Sequence, residues 1–170
     1  MRYTMTIYTI GHSNRPVADL IAMLQFFGVR LLADVRSMPG SKWNPQYNRG
    51  PLEGRLLEAG IQYAHMPGLG GKQTTTDTAI ASRPLSGYAG YMATPAFKAA
   101  IAQLEQTAAT TPVAYMCAEA DWRHCHRRYI SDHLLRQGYY VMHISDVAKA
   151  EPHTLSPPPP PRQGDLFAAP

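Results

Sequence analysis

The chain reads as an α/β protein with a single open, mostly parallel five-stranded sheet and helices on both faces, Rossmann-like in plan. Three observations predict it. Short apolar runs alternate with helical patterns, the order that builds βαβ units and a parallel sheet. Val29 to Val35 is rich in Leu and Val and carries apolar residues on both faces, as a buried parallel strand should. Proline and glycine stand where helices begin and end.

Taken in order, Met5 to Ile10 reads as the first strand, ending in Gly11-His12-Ser13-Asn14. Pro16 opens a helix with Val17, Leu20, Ile21 and Leu24 on one face, and Gly28 closes it. Val29 to Val35 is the second strand, followed by a polar loop from Arg36 to Gly50. Pro51 opens a short helix that Gly60 ends, and Ile61 to His65 is the third strand. Met66 to about Gly87 is a long, polar, Gly- and Thr-rich stretch, a length uncommon unless the loop has a function or is mobile. Thr94-Pro95 predicts an N-cap and first helical residue, with a helix to about Thr107. Val113 to Met116 is the fourth strand, Cys125 to Gln137 a helix capped by Gly138, and Tyr139 to Ile144 the fifth strand. Residues 1–147 form the expected α/β domain. Residues 148–170, with prolines from Pro157 to Pro161, form an expected extended or disordered tail.

The 170 residues, 45% of them hydrophobic, suffice for one core without staples. Two cysteines are too few for a disulfide framework and point to a reducing compartment. No stretch approaches the roughly 18 apolar residues that cross a bilayer, and the first eight residues lack the apolar region of a secretory leader. The expectation is a cytoplasmic protein without a membrane partner. A net charge of +4 permits a phosphate-bearing partner without requiring one.

In an open parallel sheet, ligands bind beyond the carboxyl ends of the strands. The unusual polar residues fall there: His12 and Ser13 after the first strand, Asp34, Arg36 and Ser37 after the second, His65 leading to Gly70 and Gly71 after the third, Cys117 and Glu119 after the fourth. The fourth junction is the richest. Asp121 is placed to cap the next helix, with His124, Cys125, His126 and Arg127 in its first turn. Free amides there attract anions, and the same environment activates a thiolate. Cys117 is equally readable as a small buried core residue. The spacing from Cys117 to Arg123 matches phosphatase and rhodanese loops, but Glu119, Asp121 and Trp122 replace the small residues such loops need. Adjacent ligand types on a helix diverge in direction, so no metal is expected. The cofactor is left open.

Asp34 and Arg36, two apart, point the same way and suit either an ion pair or a ligand clamp. Lys42, Trp43, Tyr47, Asn48 and Arg49 make a basic loop with interleaved aromatics, suited to base stacking or equally to an ordinary lid. His133 and His143 are given no role.

Together, Thr9-Ile-Gly-His-Ser-Asn14, Asp34-Val-Arg-Ser37 with Pro39 and Ser41, Leu69-Gly-Gly71, and Cys117-Ala-Glu119 with Asp121 and Cys125-His-Arg127 resemble the domain-of-unknown-function family 488. The resemblance runs from Tyr8 to about Ile144. Lys42 stands where an arginine is expected, and Trp122 where a proline is expected. The resemblance implies an α/β, cytosolic protein. It marks the same strand-end residues and supplies no reaction. It does not fix an arginine at position 123.

The tail carries Gln163-Gly-Asp-Leu-Phe167, which resembles the pentapeptide that docks bacterial DNA-processing proteins on the sliding clamp. Leu166 and Phe167 would fill a pocket and the proline run would supply reach; equally, the pair would dock on its own domain. The leading expectation is an enzyme acting on a nucleotide, nucleic acid or other phosphorylated substrate. His12 or Glu119 would serve as acid or base and Cys117 as nucleophile, beside Ser13 and Asp34. Arg36, Ser37, Ser41, Gly70, Gly71, Cys125, His126 and Arg127 would bind the ligand. The rivals are a non-catalytic DNA- or RNA-associated module recruited through Gln163, Leu166 and Phe167, and a small-molecule sensor without turnover.

Overall fold

The computed structural model describes residues 5–71 and 87–155. The elements are β1 (Thr6–Gly11), α1 (Val17–Phe26), β2 (Leu31–Asp34), α2 (Arg49–Glu58), β3 (Gln62–His65), the single turn α3 (Tyr88–Tyr91), α4 (Pro95–Ala108), β4 (Val113–Cys117), α5 (Arg127–Arg136), β5 (Tyr140–Asp146) and β6 (Lys149–Pro152). Turns of 3-10 helix lie at Pro45–Tyr47, Pro67–Leu69 and Trp122–His124.

The strands form one open, six-stranded, mostly parallel sheet in the order β3-β2-β4-β1-β5-β6. The five expected strands are parallel neighbours. The strand count is corrected by β6, which pairs antiparallel to β5. Its alternation is masked by Pro152 and two charged residues, the composition of an edge strand. It lies in the segment expected to be extended tail. The remaining tail, including Pro157 to Pro161 and Gln163 to Phe167, falls outside the described residues, as do residues 72–86 of the long loop.

Alternation along the strands fills two cores. Ile10, Leu32, Ala114 and Met116 pack against α1 and α2 through Leu20, Leu24, Leu52 and Leu56. Ile7, Ala33, Tyr115 and Val141 pack against α4 and α5 through Phe97, Ile101, Ile130 and Leu134. Each buried Leu or Ile contributes about 1.5–3 kcal/mol. The Thr94 hydroxyl accepts from the Phe97 amide at 3.2 Å, so the expected cap starts α4.

This division follows from the crossovers. The chain moves outward from β1 to β2 to β3 with α1 and α2 on one face, then returns through β4 to β5 with α4 and α5 on the other. The connection leaving β4 therefore turns to the opposite face from those leaving β1 and β2, its neighbours on either side. In open α/β sheets such a reversal marks the end of the sheet at which ligands bind.

One local expectation is corrected. Asp121 does not cap the long helix. It caps the 3-10 turn Trp122–His124, accepting from the Arg123 amide at 3.0 Å. Cys125 is extended, and the helix begins at Arg127. Hence His124, Cys125 and His126 precede the helix rather than form its first turn.

Candidate functional site

The expected residues gather at the carboxyl ends of the strands, but their side chains divide between the two faces of the sheet. On the α1–α2 face, the Asp34 carboxylate receives Arg36 Nε at 2.8 Å and Nη2 at 2.6 Å. Tyr63 donates its hydroxyl to the same carboxylate at 2.7 Å. Arg36 also donates to the Tyr47 carbonyl at 2.8 Å and approaches His12 Nε2 at 3.2 Å. His12 stacks on the Tyr47 ring at 4.1 Å between centroids.

The partners of His12 fix its state. A carbonyl only accepts, so the 2.6 Å contact with the Ser13 carbonyl puts the proton on Nδ1. Nε2 is then the acceptor for Arg36. Burial, reinforced by Arg36, brings the His12 pKa down to about 4, so the ring is neutral near pH 7. Ser13 sits at φ 49, a left-handed conformation rare outside glycine, where its amide reaches the Ala118 carbonyl at 2.9 Å.

On the opposite face, Cys117 at the end of β4 meets Cys125, with the sulfurs 2.7 Å apart. Both are free thiols. Arg127 lies beneath them with 1% of its surface exposed. It donates to Cys117 Sγ at 3.0 Å, to Thr9 Oγ1 at 2.9 Å, and to the Glu119 and Ala120 carbonyls at 2.6 and 3.2 Å. Its guanidinium thus ties β1, β4 and the loop after β4 together. The two sulfurs hold their protons unequally. The hydrogen bond from Cys117, assisted by His126 and Arg127, moves the Cys125 thiol down from its ordinary value. The same hydrogen bond, with burial, pushes Cys117 up.

His126 borders this pair and is partly exposed. Its Nε2 donates to the Val35 carbonyl at 3.2 Å, leaving Nδ1 as a lone pair 3.5 Å from Cys125 Sγ. Tyr88 lies against its ring at 5.4 Å. A Cβ on Gly71 would stand 2.8 Å from His126 Nδ1, and one on Gly70 would collide with Ser37. These two glycines let the β3 loop close over the β2 and β4 ends.

The two clusters meet through backbone: the His12 amide donates to the Cys117 carbonyl at 3.0 Å, and the Val35 amide to the Met116 carbonyl at 2.9 Å. Other expected residues have quieter places. Ser41 Oγ accepts from the Trp43 and Asn44 amides at 3.1 and 3.2 Å and so shapes its own loop. The exposed Glu119 carboxylate accepts from the Asp121 amide at 3.4 Å. Among the described residues, no group of three His, Cys, Asp or Glu side chains is disposed to hold a metal ion.

Sequence reasoning missed several participants. Thr9 and Tyr63 carry no signal beyond one polar atom each within a strand, and Tyr47, in the basic aromatic loop, is not tied to His12 and Arg36 by any local pattern. A larger omission is a buried chain in which His153 lies 2.9 Å from both Asp132 and His143. Trp122 stacks on His143 at 4.2 Å between centroids. These four come from separate elements, and His153 follows the strand that the sequence hid.

Comparison with known proteins adds one finding. The family model described as "Domain of unknown function DUF488" matches residues 16–134. No curated protein and no solved structure matches. No helix among the described residues is long and apolar enough to cross a membrane.

Proposed function

This chain belongs to the DUF488 family, and we propose that it is an enzyme using a cysteine–histidine pair on a nucleotide, nucleic-acid or other phosphorylated substrate. The observation that carries the reading is the run Cys125–His126–Val35. A nucleophile faces a basic nitrogen at 3.5 Å, and that base is oriented by a carbonyl at 3.2 Å on its other nitrogen. This is the logic of an activated thiol. Cys117, at 2% exposure, is the hydrogen-bond donor in this reading, and Cys125, at 9%, is the reacting sulfur. His126 takes the thiol proton, with Gly71 packed against its ring and Gly70 against Ser37. Arg36 and Arg127 act from below, fixing the strand ends and the charge. His12 and Asp34 serve as rigid, neutral-plus-paired support for the β2 end. A free thiol pair of this kind needs a reducing compartment, so the proposed location is the cytoplasm.

The test pairs chemistry with turnover. Iodoacetamide should alkylate Cys125 with a pH midpoint below the ordinary thiol value of about 8.5. His126→Gln should move that midpoint up. A panel of nucleotides and phosphate esters should contain a substrate whose turnover Cys125→Ser abolishes. An ordinary midpoint together with no turnover in the panel refutes the reading.

A second reading rests on Trp43, which is 92% exposed beside Lys42. An exposed indole next to a cation suits a nucleic-acid base, and a binding module recruited through Gln163, Leu166 and Phe167 would use it. Steep loss of oligonucleotide binding with added salt supports that module, and no binding at low salt removes it.

A further inference from the structure

We propose that Cys117 and Cys125 form a reversible disulfide when the protein meets a peroxide, making this pair an oxidation site. Three observations carry it. The sulfurs are 2.7 Å apart, far closer than unbonded sulfurs usually pack, and need to approach by only about 0.7 Å to reach bonding distance. Cys125 lies in an extended residue between a 3-10 turn and a helix, so its backbone can follow the sulfur. Arg127, held by Thr9 and by the Glu119 and Ala120 carbonyls, keeps a fixed positive charge against the pair in both redox states.

The chemistry balances with hydrogen peroxide as the oxidant. The Cys125 thiolate attacks one peroxide oxygen, the O–O bond breaks, and the departing hydroxide takes a proton to become water. This leaves a sulfenic acid on Cys125. The Cys117 sulfur then attacks the Cys125 sulfur. The S–S bond forms as the S–O bond breaks, and the hydroxyl leaves as water with the Cys117 proton. Two thiols lose two electrons in all, and one peroxide becomes two waters.

The geometry also orders the steps. Cys125 is the less covered of the two residues and has His126 beside it, so it meets the oxidant first. Cys117 is covered and already in contact, so it resolves the sulfenic acid before a second peroxide arrives. Over-oxidation is thereby disfavoured. On the enzymatic reading above, the disulfide also withdraws the nucleophile, but the sulfur chemistry does not depend on that reading.

The experiment is intact mass spectrometry of the full chain before and after hydrogen peroxide, with peptide mapping. The expected result is a loss of about 2 Da, one intramolecular link between the peptides carrying Cys117 and Cys125, and full recovery of both thiols with dithiothreitol. Cys117→Ser should instead gain about 16 Da as a sulfenic acid that a dimedone probe traps. Unchanged thiols, direct conversion of the wild type to sulfinic acid, or links only between two chains would each overturn the proposal. The wild-type measurement stands alone should the variant fail to fold. Because it reads mass and not turnover, it can succeed where the substrate panel fails.

Discussion

Arg36 grips Asp34 through two parallel hydrogen bonds, and the carboxylate it grips has no exposed surface. The pair closes the end of β2 and organises His12, Tyr47 and Tyr63 around it. Removing one member leaves a buried charge uncompensated. Arg36→Ala should therefore lower stability by about 3–5 kcal/mol. Arg36→Lys should recover only part of that, because an ammonium cannot fork across two oxygens. Urea unfolding reads both, and a loss below about 1 kcal/mol for the alanine variant would contradict the argument.

Gly11 ends β1 directly beneath the loop after β4. A Cβ there would run into the Glu119 carbonyl and crowd the Ala120 backbone. Backbone yields less readily than a side-chain tip, so Gly11→Ala should cost about 3 kcal/mol, near the top of the usual overpacking range. Glu119→Ala should not relieve it, since the clash is with the main chain. A melting temperature within error of the wild type would sink the prediction.

Acid should unfold the protein through its buried histidines. Burial brings His12 from 6.5 to about 4, with Arg36 and Arg15 opposing protonation and Asp34 favouring it. Burial, then His153, Arg127 and Arg123, bring His143 to about 2. Burial lowers His153 against the pull of Asp132. With folded values below the unfolded value of 6.5, the unfolded chain binds more protons as pH falls. The stabilisation is complete above 6.5. It declines below that by up to about 1.4 kcal/mol per pH unit for each histidine, until the His12 share ends near 4. Urea titrations from neutral to about pH 4.5 should show the decline, and His143→Gln should flatten it. An unchanged slope in that variant would remove His143 from the account.

Trp43 tests the nucleic-acid reading without touching the core. Trp43→Ala should weaken binding of a single-stranded oligonucleotide by about 10-fold, the low end of what one stacked base contributes. Stability should stay the same, because the indole is 92% exposed. Fluorescence anisotropy with a labelled oligonucleotide measures it, and equal affinities for the two proteins would discard the stacking role.

The sequence by itself determined the parallel strands, the Thr94 cap and the ends at which polar residues collect. These depend on short-range properties: apolar runs, capping chemistry and the proline–glycine asymmetry. It also marked Asp34 and Arg36, whose spacing of two fixes a shared side of the strand. Only the tertiary structure decided which polar residues face each other. Crossover direction sends α5 to the opposite face from α1 and α2, so Cys117 parts from His12 although their backbones are bonded. Tertiary packing likewise brought Cys125 to Cys117 by ending Trp122–His124 as a separate turn, which no local pattern announced. The Asp132–His153–His143 chain needed β6, an edge strand whose charged, proline-containing sequence gains its pairing from β5 and not from its own hydrophobicity.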